Sequence, residues 1–230
     1  MNKKVFILMS VGIVFAIIGI IFGSITIYRF CLLQSLYGRI HENVLKGNYY
    51  LKTTVISDDS NSSTEAYYRD GVGKLVAENG VYTWADGEYA YLIDEENKEA
   101  YILNIENENL GLVSYDMFAV LVPGYNKSFF ERLIIAGNIK NTLKQTKDDG
   151  KKCYIIKVND NNVTRTIWLN EKATPYKGEV VFNNGKIFKY EYNIKFNQVT
   201  LKSIELPRID DYKVVNAETN EIIQEQKNNE

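Results

Sequence analysis

The sequence has little of what most catalytic and metal sites require. Its 230 residues include one histidine, His41, and two cysteines, Cys31 and Cys153. Without a second histidine or a suitably placed cysteine, serine- and cysteine-type catalytic triads have no obvious base. The two cysteines lie in such different contexts that we expect no disulfide, and no cysteine pair has the spacing of metal ligands. No run of Lys or Arg suggests nucleic-acid binding. These absences favour a non-enzymatic protein without cofactor, metal or nucleic-acid partner.

Charge is missing altogether from residues 5–28. A helix of this length is about 36 Å long, enough to cross a hydrocarbon core of about 30 Å. We therefore predict a single-pass transmembrane anchor over residues 1–30. Lys3 and Lys4 precede the span and favour a cytoplasmic N-terminus, with the domain outside the cell membrane.

A cleaved signal is the alternative interpretation of this stretch. Signal peptides have a shorter apolar core, of about 7–15 residues, and a small-x-small cleavage site. No Ala-x-Ala pattern follows the core here, and Tyr28, Arg29 and Phe30 are unsuited to lipoprotein processing at Cys31. An uncleaved anchor therefore fits the residues better.

Small residues are spaced four apart within the span. Gly19 and Gly23 form one such pair, and Gly12 and Ala16 form another. This spacing lets two membrane helices approach closely, so a homodimer through Gly19 and Gly23 is one prediction. The alternative is that glycine is simply common in membrane helices.

The apolar period changes twice after the span. In residues 31–47 apolar side chains recur every three or four positions, which predicts a membrane-proximal helix that either continues the span or folds back onto the domain. From residue 48 the period is two, and Asp70-Gly71, Asn79-Gly80 and Asp86-Gly87 are strong hairpin signals. We predict one β-rich domain of about ten strands over residues 48–216, and a polar disordered tail over residues 217–230. Residues 138–146 fit either a helix tail or a strand.

Two short helices are predicted within the strand-rich region. The first runs from Ser114 to Val122 and ends before Pro123. The second follows Ser128 and Glu131, which have the spacing of a capping box. Phe129, Phe130, Leu133 and Ile134 give the second helix an apolar face, and we expect this face to cover the sheet.

The last long strand shows a regular alternation of apolar and polar residues. Such a pattern implies one buried and one solvated face. Because long sheets tend to curl, we predict an α+β fold: a mainly antiparallel, curled half-barrel with short covering helices, preceded by one transmembrane helix. The residues of the apolar face are Phe188, Tyr190, Tyr192, Ile194 and Phe196.

Three short segments resemble a known superfamily. Residues 166–175 (Thr-Ile-Trp-Leu-Asn-Glu-Lys-Ala-Thr-Pro) are similar to a strand that ends in an aromatic residue, Leu and Asn before a turn and Pro. Residues 153–156 resemble the preceding strand, and residues 204–212 resemble the closing segment of such domains in Gram-positive bacteria. On these motifs residues 32–215 resemble the lipoprotein-carrier (LolA-like) superfamily, in a membrane-anchored Gram-positive type.

The resemblance implies an apolar cavity between sheet and helices that holds an acyl chain or a hydrophobic peptide. Because the chain keeps its anchor, local binding or sensing at one membrane fits better than shuttling. One hypothesis is a membrane-anchored module that binds a lipid, acyl chain or lipidated protein. The other is a non-enzymatic envelope sensor or protein-interaction domain with a filled core. The ligand-binding residues predicted for the first hypothesis are Phe188, Tyr190, Tyr192, Ile194, Phe196, Phe129, Phe130 and Leu133.

Overall fold

The computed structural model describes residues 3–44, 47–57, 60–77, 81–86, 88–104, 122–125, 127–160, 162–206, 208–219 and 221–224. Its helices are α1 (Lys3–Val44) and α2 (Phe129–Gly137), and a 3-10 turn covers Leu201–Ile204. The strands of the described chain are β1 (Asn48–Ile56), β2 (Asn61–Arg69), β3 (Val72–Ala77), β4 (Val81–Ala85), β5 (Tyr89–Asp94), β6 (Glu99–Asn104), β7 (Thr142–Asp148), β8 (Lys151–Asp160), β9 (Val163–Asn170), β10 (Pro175–Phe182), β11 (Ile187–Phe196), β12 (Lys213–Asn216) and β13 (Ile222–Gln224).

All these strands belong to one 13-stranded sheet, in the order β13-β12-β6-β5-β4-β3-β2-β1-β11-β10-β9-β8-β7. Neighbouring strands are antiparallel except β12 and β6, which run parallel. The sheet is open, with β13 at one edge and β7 at the other. The predicted class, an α+β curled half-barrel that is mainly antiparallel and follows one apolar helix, is confirmed.

The hairpins form where the sequence places residues that tolerate positive φ. Asp70 and Gly71, between β2 and β3, have φ values of 51° and 90°. Asp149 and Gly150, between β7 and β8, have φ values of 47° and 76°. Two successive left-handed residues match the twist of the flanking strands, which favours tight antiparallel pairing.

Three strands are additional to the ten that the sequence predicts: β7, β12 and β13. Strand β13 lies within residues 217–230, where we expected a disordered tail. Ile222 pairs with Val215, and the Nε2 atom of Gln224 lies 2.9 Å from the carbonyl oxygen of Ile209 and 3.0 Å from that of Tyr212. The strand pairing and these side-chain-to-backbone hydrogen bonds hold a polar segment that has little apolar surface to bury.

Helix α1 is continuous from the apolar stretch into the domain. Among the described residues it is one helix long and apolar enough to span a membrane, and its apolar window is not buried in the protein. Farther along, Leu33, Leu36, Tyr37 and Ile40 are at most 3% exposed. The membrane-proximal helix therefore both continues the apolar stretch and packs on the domain. Among the described residues, no atom lies within 4 Å of a Cβ added at Gly19 or Gly23, and a homodimer through them stays a prediction.

Two hydrophobic cores of the described chain lie on opposite faces of the sheet. We call the face that α1 contacts the inner face and the other the outer face. On the inner face the successive cross-strand partners are Leu51 on β1, Ala66 on β2, Leu75 on β3 and Thr83 on β4. Because side chains alternate along a strand, the neighbouring Tyr82 points to the outer face. The outer core consists of Tyr82, Ile93, Ala100, Tyr212 and Val214.

The two predicted short helices have different outcomes. The helix predicted over Ser114–Val122 lies mostly outside the described residues. Helix α2 is present, and Ser128 and Glu131 form the predicted capping box. The prediction that the Phe129–Ile134 face covers the sheet is wrong: α2 packs against α1, and Phe130 is 73% exposed.

Candidate functional site

Helix α1 fills the inner face of the sheet, the place where the resemblance implies a ligand cavity. Leu33, Leu36 and Ile40 are 0%, 1% and 0% exposed. They are spaced three and four residues apart, so they form one stripe along the helix. The sheet residues buried with them in this core are Tyr49, Leu51, Ala66, Leu143, Tyr154, Ile156, Ile167 and Leu169.

Two arginines on α1 define its direction across the sheet. Arg29 reaches the carbonyl oxygen of Asn141, just before β7 and near the end of β8. Arg39 lies at the opposite end of β8, where its Nη1 atom donates to the carbonyl oxygen of Glu171 at 2.9 Å. The apolar stretch of α1 therefore leaves the sheet at the end formed by the β8–β9 and β10–β11 turns. We call this the anchor end and the opposite end the distal end.

Polar contacts clamp α1, α2 and β8 together at the anchor end. Arg29 donates to the carbonyl oxygens of Asn138 at 3.2 Å and Asn141 at 2.5 Å. Asn141 is 6% exposed; its Nδ2 donates to the Ile135 carbonyl at 2.9 Å, and its Oδ1 accepts from the Asn159 amide at 2.9 Å. Asn159 also donates to the Lys140 carbonyl. Since each group is satisfied, the clamp fixes the exit of α1 from the domain.

A second set of contacts ties α2 and the preceding turn to the middle of α1. Arg132 donates to Gln34 at 3.1 Å and to the Tyr125 carbonyl at 2.7 Å, and its guanidinium lies 4.7 Å from the centre of the Tyr37 ring. The Tyr37 hydroxyl donates to the Pro123 carbonyl at 2.5 Å. Burial raises the pKa of Tyr37, and the positive charge of Arg132 opposes this only in part. Gly124 has a φ of 81°, and a Cβ there would lie 2.7 Å from the Tyr37 hydroxyl.

The structure does not gather the eight predicted ligand-binding residues around one cavity. On β11, Tyr192, Ile194 and Phe196 pack against the core that α1 fills, whereas Phe188 and Tyr190 are half-buried nearer the anchor end. On α2, Phe129, Phe130 and Leu133 are 59%, 73% and 37% exposed. A ligand-binding role for these residues stays a prediction.

Tyr192 illustrates how the inner face is packed. A Cβ on Gly178 of the neighbouring strand would lie 2.9 Å from the Tyr192 hydroxyl, so the glycine makes room for this side chain. The Tyr190 and Tyr192 rings are stacked, with centroids 6.2 Å apart. Burial, and then the neighbouring Tyr190, raise the pKa of Tyr192. The tyrosine therefore acts as a filling residue whose hydroxyl stays protonated.

Sequence reasoning missed the residues that hold α2 in place. Ile135 packs against the inner core and Ala136 is fully buried. Small residues allow two helices to approach closely. The pair Ala136 and Gly137 could therefore have indicated which side of α2 packs against another helix. Arg29 and Asn141 had no comparable signal, because a single arginine or asparagine fits a surface equally well.

Two open depressions lie elsewhere on the described chain. One, of about 450 Å³, is on the outer face, with Lys52, Lys177, Glu191 and Asn193 in its lining. The other, of about 800 Å³, is at the distal end, between the β7–β8 turn and Glu171. Both carry charged residues of either sign, so they suit polar partners better than acyl chains. Among the described residues, no group of three His, Cys, Asp or Glu side chains is placed to hold a metal ion.

Comparisons with known proteins give a likeness of fold. No protein-family model matches the sequence, and no curated protein matches it significantly. An uncharacterized conserved protein from Thermus thermophilus aligns with a TM-score of 0.51 at 10% identity, over 80% of this chain and 98% of that chain. The Pseudomonas aeruginosa MucA/MucB complex gives a TM-score of 0.46 at 13% identity, over 75% of this chain and 60% of the matched chain. The crystal structure of MucB gives 0.45 at 9% identity, over 76% and 62%.

The present chain thus spans less than two thirds of the MucB chains that it matches. At these identities the comparisons bear on fold alone. The chain has the open, curled sheet that the LolA-like resemblance implies, while the membrane-anchored Gram-positive type stays a prediction.

Proposed function

We propose that the protein is a non-enzymatic, membrane-tethered protein-interaction module, with α1 as its anchor and its domain on the outer side of the cell membrane. The observation that carries this proposal is the complete burial of Leu33 and Ile40 in the inner face of the sheet. A carrier of acyl chains needs an apolar cavity at this position. Here the anchor helix itself occupies the inner face, which favours the filled-core hypothesis over lipid binding.

The way α1 enters the domain supports a sensing role within this proposal. The helix runs through Lys3–Val44 without a proline, and Arg29 and Asn141 clamp it where it leaves the sheet. A helix packed in a core moves with that core, because close-packed interiors do not deform continuously. A tilt or rotation of the anchor would therefore move the sheet as one body. Conversely, a partner bound to the sheet would favour one orientation of the anchor.

The outer-face depression is the surface that we assign to the partner. It lies on the other side of the sheet from α1, so the anchor does not block it. Lys52, Lys177 and Glu191 line it, and Lys52 is paired with Glu65 at 3.1 Å. A polar surface with both signs of charge suits a folded protein or an extended polar segment, with charge complementarity setting specificity.

The proposal is tested with two measurements on the full-length protein. A photo-reactive amino acid in place of Asn193, in the outer-face depression, should give a discrete protein adduct in native membranes. The same group in place of the exposed Lys202 is the matched control and should give none. In parallel, detergent-purified protein should take up no fluorescent fatty acid. Stoichiometric uptake, lost on substituting Tyr192 or Phe196 in the inner face, would instead support lipid binding and overturn the proposal.

A further inference from the structure

Four apolar side chains on and just after α2 point away from the protein. Phe129, Phe130 and Ile134 are 59%, 73% and 71% exposed, and Ile139 is 77% exposed. We call these four residues the α2 patch. Burying such a side chain fully contributes about 1.5–3 kcal/mol, so a contiguous group left in water marks a surface that another phase or molecule covers.

The α2 patch lies where the charge-free stretch of α1 ends. The rings of Phe129 and Phe30 pack edge to face with centroids 5.0 Å apart. At the other end of α2, a Cβ on Gly137 would lie 3.6 Å from the Cγ2 atom of Thr26. Thr26 precedes Arg29, the first charge after the span, by three residues, or about 4.5 Å along the helix. Helix α2 therefore crosses the level at which the apolar span gives way to charged residues.

The two sides of α2 differ in what they contact. One side faces α1: Ala136 is fully buried, and Arg132 turns inward to Gln34 at 3.1 Å. The other side carries the exposed rings of Phe129 and Phe130, which pack on each other with centroids 5.6 Å apart. A short helix with one packed side and one apolar, solvent-facing side has the character of an interfacial membrane helix.

The charges around the α2 patch suit anionic lipid headgroups. Residues 127–141 contain three basic side chains, Lys127, Arg132 and Lys140, against one acidic side chain, Glu131. Glu131 is neutralised by Lys127 at 3.3 Å and by its capping contacts with Ser128. Arg132 turns inward to Gln34 and Lys127 pairs with Glu131, so the outward positive charge of this segment comes from Lys140, next to Ile139. A positive charge beside an apolar surface adds electrostatic attraction to apolar burial at an anionic bilayer.

We propose that α2 is an interfacial helix, and that the α2 patch inserts into the outer boundary of the same bilayer that α1 crosses. This inference rests on the membrane anchoring proposed above. A bilayer is the occupant because any membrane that surrounds α1 up to Tyr28 also reaches the level of Gly137, which lies beside Thr26 and three residues from Ile134. With α1 and α2 both held, the domain has two attachments to the membrane and one orientation on it.

Depth-dependent fluorescence quenching on the full chain tests this inference. In a Cys31→Ser, Cys153→Ala background, single labels are attached after Ile20→Cys in the span, Ile134→Cys in the α2 patch and Leu201→Cys at the distal end. Leu201 is the matched control, because it is an aliphatic residue 68% exposed, against 71% for Ile134. The protein is reconstituted in phosphatidylcholine–phosphatidylglycerol vesicles with a nitroxide-bearing lipid quencher.

We expect the labels at positions 20 and 134 to be quenched at least about twofold more strongly than the label at 201. Quenching at 20 without quenching at 134 would overturn the interfacial helix and leave the anchor intact. Absence of quenching at 20 would overturn both. Shielding of position 134 from aqueous iodide without lipid quenching would show that a second protein copy covers the patch, which also overturns the inference. If Ile134→Cys does not fold, Phe130→Cys provides the same test.

Discussion

The two halves of helix α1 are equally helical but follow different burial patterns. In residues 12–28 apolar side chains are exposed on every side, as at Ile20, which is 68% exposed. In residues 29–42 the buried residues form a stripe through Leu33, Leu36 and Ile40, while Ser35 and Glu42 stay exposed. A helix that is apolar all round needs an apolar solvent, whereas a striped helix needs one packed partner. The comparison shows that one helix carries two burial patterns, with the change near Arg29, as the proposed membrane anchoring requires.

We expect the largest effect on stability from truncating a core residue of α1, and this effect should distinguish its two halves. Ile40→Ala should lower the free energy of unfolding by about 2–5 kcal/mol, because it leaves a cavity in the inner core. The matched change Ile20→Ala, in the exposed half, should alter domain stability by less than about 0.5 kcal/mol. Chemical denaturation in detergent, followed by tyrosine and tryptophan fluorescence, measures both. Equal losses for the two variants would contradict the division of α1.

We expect the second-largest loss of stability at the clamp formed by Arg29 and Asn141, which lies at the boundary between the two halves of α1. Asn141→Ala removes the partner of the Ile135 carbonyl and of the Asn159 amide. Leaving buried polar groups unsatisfied costs about 1–3 kcal/mol, so stability should fall by that amount. Asn193→Ala, on the exposed outer face, is the control and should stay within about 0.5 kcal/mol of the parent. Hydrogen exchange of α2 should also accelerate in Asn141→Ala alone.

Alkaline pH probes the core around the buried half of α1 through its tyrosines, Tyr37 on α1 and Tyr49 on β1. Burial raises the pKa of Tyr37 and of Tyr49 above the ordinary value of about 10. Above that value the unfolded chain releases protons that the folded chain retains, so stability should be level below about pH 9 and fall above about pH 10. Each such tyrosine contributes a slope of about 1.4 kcal/mol per pH unit. Unfolding midpoints measured against pH should show a shallower decline in Tyr49→Phe; an unchanged decline would contradict the assignment.

The smallest effect concerns the cap that starts α2. Ser128→Ala removes the hydroxyl that accepts from the Glu131 amide at 3.4 Å. Loss of a serine cap costs about 0.5–2 kcal/mol, and here the loss should be confined to α2. Local hydrogen exchange should therefore rise in α2 while the global unfolding midpoint moves little. Ser128→Asp, which keeps an accepting oxygen, should restore the protection.

Much of the fold could be predicted because it depends on local rules. The charge-free stretch, the Asp-Gly turns, the β11 alternation and the Ser128–Glu131 cap each act within a few residues. The additional strands β12 and β13 lacked such signals. They are short, and they depend on distant partners such as β6.

The occupant of the inner face was harder to predict, because it depends on which apolar surfaces pack against each other. The sequence offers two apolar faces, on α2 and β11, and the LolA-like resemblance implies a cavity between them. In the structure Leu36 and Ile40 of α1 lie in the core against which β11 packs, whereas Phe129 and Phe130 of α2 are exposed. Periodicity identifies an apolar face but does not identify the surface that it covers.

The central claim is that a single unbroken helix passes from the membrane into the core of the sheet. A nitroxide scan of α1 from Ile13 to His41 in vesicles tests it most directly. We predict uniform accessibility to oxygen in the lipid phase up to Ile25, and beyond Arg29 a 3.6-residue period with minima at Leu33, Leu36 and Ile40. Uniform accessibility to water beyond Arg29, without minima at these three positions, would contradict the account.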